Sequence, residues 1–165
     1  MSLPDLAAVL WRQRELLERL VYRLECEQLL LASGRTRFLA MATAEVEALL
    51  SEIRVLEIQR GAATDRLAAE VDLPGDASLE ELAAAVQPPW TEVLIEHRHA
   101  LLTLTAELTA LAETNRHLMA AGMQAVESAL AGLGLREGRS SMGYDAHGRR
   151  ETITGSGWSV VDRSL

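Results

Sequence analysis

The sequence has no lysine, one cysteine and few aromatic residues among its 165 positions. With one thiol, Cys26, the chain cannot form an intramolecular disulfide, and a helical cysteine is usually a small core residue. Aromatic residues make up 4% of the chain, whereas strands favour aromatic and β-branched residues, so a β-sheet protein is disfavoured. The basic residues are all arginine, a coding bias to which we attach no function.

The sequence also has no long hydrophobic run. No uninterrupted apolar stretch approaches the roughly eighteen residues of a membrane-spanning helix. The N-terminal "MSLPDLAAVLWRQRE" lacks a basic segment followed by an apolar one, as a secretory signal would have. We therefore expect a cytoplasmic protein with no membrane insertion.

Negative charge dominates most of the chain. Residues 1–135 hold 11 arginines against 20 acidic residues, a net charge of -9, whereas residues 136–165 hold 5 against 4, a net charge of +1. An acidic body repels phosphate backbones and anionic lipid headgroups. The charge thus argues against nucleic acid and membrane surfaces as partners.

Leucine and alanine, both strong helix formers, occur at helical spacing through residues 1–135. Leucines recur every seventh residue from the N-terminus, and further leucines lie between them except where Gln13 and Glu27 take the intermediate position. This spacing predicts a first helix that ends at a break at Ser33-Gly34. Apolar residues spaced alternately three and four positions apart predict a second helix from about Thr36 to Val71. The apolar positions of these two helices are Leu3, Leu6, Leu10, Leu17, Leu20, Leu24 and Leu31, then Leu39, Ala42, Val46, Leu49, Ile53, Leu56, Ala63 and Leu67.

A short helix and a third long helix follow. Ser78 and Glu81 form a capping-box pattern before "LEELAAAV", and Pro88-Pro89 stops that helix. A third seam then runs from Trp90 towards Gly132 and Gly134, through Leu94, His97, Leu101, Leu104, Leu108, Leu111, Asn115 and Leu118. Asn115 is compatible with two roles, a buried amide that fixes helix register or a surface residue.

These patterns predict an all-α fold, an elongated antiparallel helical hairpin or bundle of three long helices plus one short helix. Residues 1–135 form the helical domain. Residues 136–165 are glycine-rich and polar, and we expect a flexible C-terminal tail because they cannot bury enough apolar surface to fold alone.

A second apolar stripe overlaps the end of the third helix. Met119, Met123, Val126, Leu130 and Leu133 alternate steps of four and three, offset by one position from the first seam. The last turns therefore have more apolar surface than one seam needs. Two interpretations remain open for the methionines, ordinary core or a binding surface.

No catalytic or metal-binding pattern is complete. Glu96 and His99 form half of a di-iron motif, but none of the other histidines, His97, His117 and His147, has a glutamate three residues before it. The glycines of "GLGLREG" are misspaced for a dinucleotide loop, and "GSGWS" has no strand-to-helix elbow around its serine. We therefore expect no enzyme, no cofactor and no metal site.

Three stretches together resemble the FlgN family of flagellar export chaperones. "LAAVLWRQRELLERLVYRLECEQLLLASGRTRFLAMATAEVEALLSEIRVLEIQR" resembles the first hairpin of the family, and "ETNRHLMAAGMQAVESALAGL" is similar to its late helix. "GYDAHGRRE" matches the tail pattern of a tyrosine followed by a glycine, here Tyr144 and Gly148. The order of these features carries the resemblance, since leucine repeats alone occur in every coiled coil.

The resemblance implies binding rather than catalysis. Family members hold the hook-filament junction proteins FlgK and FlgL in the cytoplasm and deliver them to the flagellar type III export apparatus. Their late helix and the segment after it are implicated in that contact. Carried onto this sequence, the partner-binding residues are Leu118, Met119, Met123, Val126, Leu130 and Tyr144. The alternative is a structural or regulatory coiled-coil protein whose broad apolar face closes a homodimer.

Overall fold

The computed structural model describes residues 2–132, and these residues form an all-α fold. Three long α-helices are α1 (Ser2–Ala32), α2 (Leu39–Glu70) and α4 (Trp90–Gly132), and α3 (Leu79–Ala85) is short. One 3-10 turn, Thr36–Phe38, precedes α2 where the sequence predicted the start of the α-helix itself. The predicted fold class is confirmed, and the boundary at residue 135 and the tail beyond it lie outside the described residues.

Glycine makes the first turn possible. Gly34 has φ +68°, a left-handed conformation that costs glycine little. Its N–H donates to the Leu31 carbonyl, and the Arg35 N–H donates to the Leu30 carbonyl at 3.1 Å. This is a Schellman motif, which satisfies the last carbonyls of α1 and reverses the chain.

The three long helices alternate in direction, and α1 is central because it packs along both α2 and α4. Ser2 donates a hydrogen bond to Glu70 at 2.6 Å, and Arg23 forms an ion pair with Glu45 at 2.8 Å, so α1 and α2 are antiparallel. Asn115 of α4 contacts Leu24 near the C-terminal end of α1, and Glu96 near the start of α4 lies 3.4 Å from Arg14 in the first half of α1. Helices α1 and α4 therefore run parallel.

The predicted leucine seams form the core. In the first seam Leu3 and Leu31 are half-buried and the remaining leucines are buried. In α2 every predicted seam position except the half-buried Leu39 is buried. In α4 the buried positions are Leu94, His97, Leu101, Leu108 and Asn115, and the half-buried ones are Leu104, Leu111 and Leu118. Cys26 is a free, half-buried thiol rather than a fully enclosed core residue.

The capping box at α3 is present as predicted. The Ser78 hydroxyl accepts from the Glu81 N–H, and the Glu81 carboxylate accepts from the Ser78 N–H at 2.8 Å. The backbone hydrogen bond from Ser78 holds the pKa of Glu81 below its usual value. Leu79 and Leu82 are fully buried, and α3 packs against α4, so the segment between α2 and α4 is part of the core.

None of the helices within residues 2–132 is both long and apolar enough to cross a bilayer.

Candidate partner-binding surface

Helix α4 continues beyond the end of the helix it packs against. Glu27 lies level with Asn115, and α1 ends five residues later at Ala32. Because α1 and α4 are parallel, Ala32 lies level with about residue 120 of α4. About twelve residues, roughly 18 Å of helix, therefore extend past the end of α1. We call residues 119–132, which are these twelve residues together with Met119 and Ala120, the α4 extension.

A buried polar layer fixes the position from which the α4 extension begins. The Asn115 side-chain N–H donates to the Leu24 carbonyl at 2.9 Å and to Glu27 Oε2 at 3.0 Å. The second oxygen of Glu27, Oε1, accepts from the Thr43 hydroxyl at 2.8 Å. One carboxylate of α1 thus joins α2 and α4, and the buried interpretation of Asn115 is confirmed.

The apolar stripe of the α4 extension faces solvent. Met119 is 39% exposed, Met123 66% and Val126 59%, and Leu130 is half-buried. At 100° per residue these four side chains lie within about 60° of one another on the helix. The methionines therefore lie at the surface rather than in the core, since Met119 is level with the last turn of α1 and Met123 lies beyond its end.

The structure does not bring together all the residues predicted for the site. Leu118 is half-buried and lies on the side of α4 that continues the packed seam, about 80° or more from the methionine stripe. Tyr144 lies outside the described residues. The described surface therefore consists of Met119, Met123, Val126 and Leu130.

Charged residues lie just before the stripe. Glu113 forms an ion pair with Arg116, and His117 Nε2 lies 2.9 Å from Glu113 Oε1. The hydrogen bond from Arg116 holds the pKa of Glu113 below its usual value. All three side chains are exposed, so an apolar surface begins directly after a polar, solvated turn of the helix.

The family model for FlgN protein matches residues 1–152, which include the hairpin, the α4 extension and Tyr144. The chain belongs to the FlgN family. The family is one of flagellar export chaperones rather than enzymes. No curated protein and no solved structure matched the chain.

This FlgN-family chain has two further exposed apolar side chains at the same end of the bundle. Leu29 lies in the last turn but one of α1, and Phe38 lies in the 3-10 turn before α2, with the Arg37 guanidinium 4.6 Å above its ring. Both are near the level at which the α4 extension begins. Sequence reasoning missed them because Leu29 falls off the heptad seam and Phe38 sits in a turn.

The histidines of this FlgN-family chain do not form a metal site in the described residues. His97 is buried against the edge of the Trp11 ring, with centroids 4.9 Å apart, and its Nδ1 has no hydrogen-bond partner. Burial, with the Arg14 cation nearby, holds the pKa of His97 below its usual value. His99 is exposed on another face. Within residues 2–132 no three His, Cys, Asp or Glu side chains are grouped to hold an ion.

An open cleft also lies far from the α4 extension. It is lined by Ala8, Trp11, Arg12, Arg14, Glu15 and Glu18 of α1. Its side chains come from one helix face, and Arg12 is paired with Glu15 at 2.7 Å. Trp11 is exposed in this cleft, and the Arg14 guanidinium lies 4.5 Å from the centroid of its ring.

Proposed function

We propose that this protein is a cytoplasmic type III export chaperone that binds the junction proteins FlgK and FlgL before their secretion, through the late part of α4 and the tail. Membership of the FlgN family supports the class of activity. The observation that carries the proposed site is the exposed stripe of Met119, Met123, Val126 and Leu130 on a helix that extends beyond its neighbours.

The α4 extension suits a helix-on-helix contact. An amphipathic client helix can lay its apolar face along the stripe, and unbranched methionine side chains adapt to two different clients. Tyr144, which follows the extension in sequence, supplies an aromatic contact from the tail in this proposal. The client would thus be held between a preformed helix and a segment that orders on binding.

The expected affinity follows from the apolar area. Full burial of four such side chains contributes about 1.5–3 kcal/mol each, roughly 6–12 kcal/mol in total. Loss of translational freedom and ordering of the tail offset a large part of this gain. These four side chains therefore account for a complex of micromolar affinity at the tightest, which is consistent with a chaperone that must release its client.

The test measures binding of purified FlgK and FlgL by titration calorimetry. The double variant Met119→Glu with Met123→Glu should lose binding of both clients while its helical circular dichroism signal is retained. Ile95→Glu is the matched control because Ile95 is also exposed on α4 but lies near its N-terminal end. Full client binding by the double variant would refute the proposed site.

The same variants separate this function from a structural homodimer built on the methionine stripe. In that alternative the double variant changes from dimer to monomer in light scattering, and any client binding is unchanged. A Tyr144→Ala variant tests the tail separately, and we expect weaker client binding with no change in the unfolding midpoint.

A further inference from the structure

The outer face of α2 has a second apolar seam that the core does not use. Positions 41, 44, 48, 51, 55 and 58 alternate steps of three and four, the spacing of a coiled-coil interface. All six are exposed, whereas the core seam of α2 runs through Val46, Leu49, Ile53 and Leu56 on the opposite side. We call these six residues the outer seam: Met41, Ala44, Ala48, Ser51, Val55 and Ile58.

The outer seam combines large apolar side chains with small ones. Met41 is 65% exposed, Val55 58% and Ile58 75%. Between them lie two alanines and Ser51, whose hydroxyl donates to the Glu47 carbonyl at 3.0 Å within the same helix. Ser51 therefore needs no hydrogen-bond partner from outside and acts as a small residue. The seam is one that a second helix can approach closely.

The structure assigns this face to a second copy of the chain, paired antiparallel through α2. In heptad terms, Met41, Ala48 and Val55 occupy a positions, and Ala44, Ser51 and Ile58 occupy d positions. In an antiparallel coiled coil each a position faces a d position of the other helix. Ala44 then faces Val55 of the second copy, Met41 faces its Ile58, and Ala48 faces its Ser51. Small residues meet at the centre of the contact and large ones at its ends, and a two-fold axis relates the halves.

Charge favours the antiparallel arrangement. Glu47 and Arg54 border the outer seam on one side, and within the described residues neither side chain forms an ion pair. Antiparallel pairing places Glu47 of each copy beside Arg54 of the other, which gives two ion pairs. Parallel pairing would instead place Glu47 beside Glu52 of the second copy. Like charges at that position disfavour the parallel form.

The other border of the outer seam carries two glutamates, and each has a cation within its own chain. Glu45 is paired with Arg23 at 2.8 Å, and Glu52 lies 3.9 Å from Arg12. These arginines of α1 balance the negative charge that an antiparallel pair brings together on that side. The contact is one pair of helices, so it falls at the small end of stable interfaces and should dissociate reversibly.

The dimer leaves the proposed client surface accessible. The α4 extension lies at the end of the bundle where α2 begins. In an antiparallel pair the N-terminal ends of the two α2 helices point in opposite directions. The two α4 extensions therefore project from opposite ends of the dimer, and each copy can hold one client.

The test is sedimentation of the full chain over a range of concentrations. Wild type should change from monomer to dimer, and Ile58→Glu should remain monomeric with an unchanged circular dichroism spectrum. Glu47→Arg alone, or Arg54→Glu alone, should raise the dimer Kd by about tenfold because two attractive pairs become repulsive. The two changes combined should restore the wild-type Kd, which a general effect on folding would not produce.

Three results would overturn this inference. The first is a wild-type chain that stays monomeric at all concentrations. The second is a dimer that survives Ile58→Glu, or one dissociated instead by Met119→Glu with Met123→Glu. The third is a combined charge reversal that fails to recover the dimer. If wild type is itself monomeric and Ile58→Glu loses FlgK or FlgL binding, the outer seam belongs to the client rather than to a second copy. Client binding through the α4 extension is measured separately, so either proposal can fail alone.

Discussion

Two polar residues interrupt the leucine seam of α1, and both are buried with partners on α2. Gln13 donates to Glu57, which also accepts two hydrogen bonds from Arg60, and Glu27 accepts from Thr43 and from Asn115 of α4. A one-residue slip of either helix would break these contacts and leave buried groups unpaired. The interruptions therefore specify the register of the bundle at a cost in apolar burial.

We predict that Asn115→Leu lowers the free energy of unfolding by about 1–3 kcal/mol, because Glu27 loses a buried donor. The double variant Asn115→Leu with Glu27→Leu should recover much of this loss, since no carboxylate is then buried without its partner. Urea unfolding of wild type, Asn115→Leu, Glu27→Leu and the double variant measures the coupling free energy between the two residues. Additive losses would show that the two residues act independently.

His97 gives the protein a defined pH dependence. Its pKa in the folded state is lowered by burial, so at a pH below about 6.5 the unfolded chain binds a proton that the folded chain does not. The free energy of unfolding therefore falls as the pH decreases from about 6.5 to the folded pKa of His97. The slope from this one group is at most about 1.4 kcal/mol per pH unit.

Urea unfolding between about pH 7.5 and 5.5, in wild type and in His97→Leu, measures this slope. The variant should lack the component that His97 contributes, and the difference between the two proteins removes the contribution of the carboxylates common to both. Parallel pH profiles for the two proteins would contradict the assignment.

At the scale of elements, the α4 extension depends on its own helical stability because no other described element packs beside it. Gly122 lies within it, and a β-carbon added there meets no other atom within 4 Å. Glycine in a helix interior is less favourable than alanine by about 1 kcal/mol. Gly122 thus lowers the helical stability of the α4 extension, and it makes no packing contact in the described structure that requires a glycine.

Gly122→Ala should therefore make the α4 extension more helical and, if a client binds the ordered helix, tighten client binding up to about fivefold. Gly61→Ala is the matched control, because Gly61 lies inside α2 with equal free space around it. The control should raise the unfolding midpoint without changing client affinity. Equal effects of both variants on affinity would show that the extension has no special part in binding.

On the scale of the whole molecule, the buried core residues of α4 and the proposed binding surface occupy different parts of the helix. Its N-terminal part supplies buried core residues as far as Asn115, and its last turns supply almost none. Unfolding of the bundle should therefore be insensitive to the α4 extension. Function under the proposal should depend on it.

Two truncated chains test this separation, one ending after Gly132 and one after Ala120. Their free energies of unfolding should agree within about 1 kcal/mol, because the twelve residues between them bury little apolar surface. The shorter chain should lose the client binding that remains in the longer one. A large loss of stability on removing residues 121–132 would show that they pack against the bundle.

Much of the fold was predictable because local patterns decide it. The three-four spacing of leucines identified each long helix, Ser78 and Glu81 identified the start of α3, and Ser33-Gly34 identified the first turn. Periodicity alone did not distinguish the seam that meets another helix from one that meets solvent. Met119 and Met123 are compatible with core or surface in the sequence, and the outer seam of α2 does not stand out there because a stronger seam occupies the same helix.

The sequence by itself determined the all-α class, the order of the helices and the residues that form the core, because helix formation and amphipathic burial depend on neighbours three and four positions apart. Only the tertiary structure decided where α1 ends relative to α4, and hence that Asn115 is enclosed while Met123 faces water. That outcome depends on the relative axial positions of helices distant in sequence, which are set by contacts such as Asn115 with Glu27 rather than by the spacing within either helix.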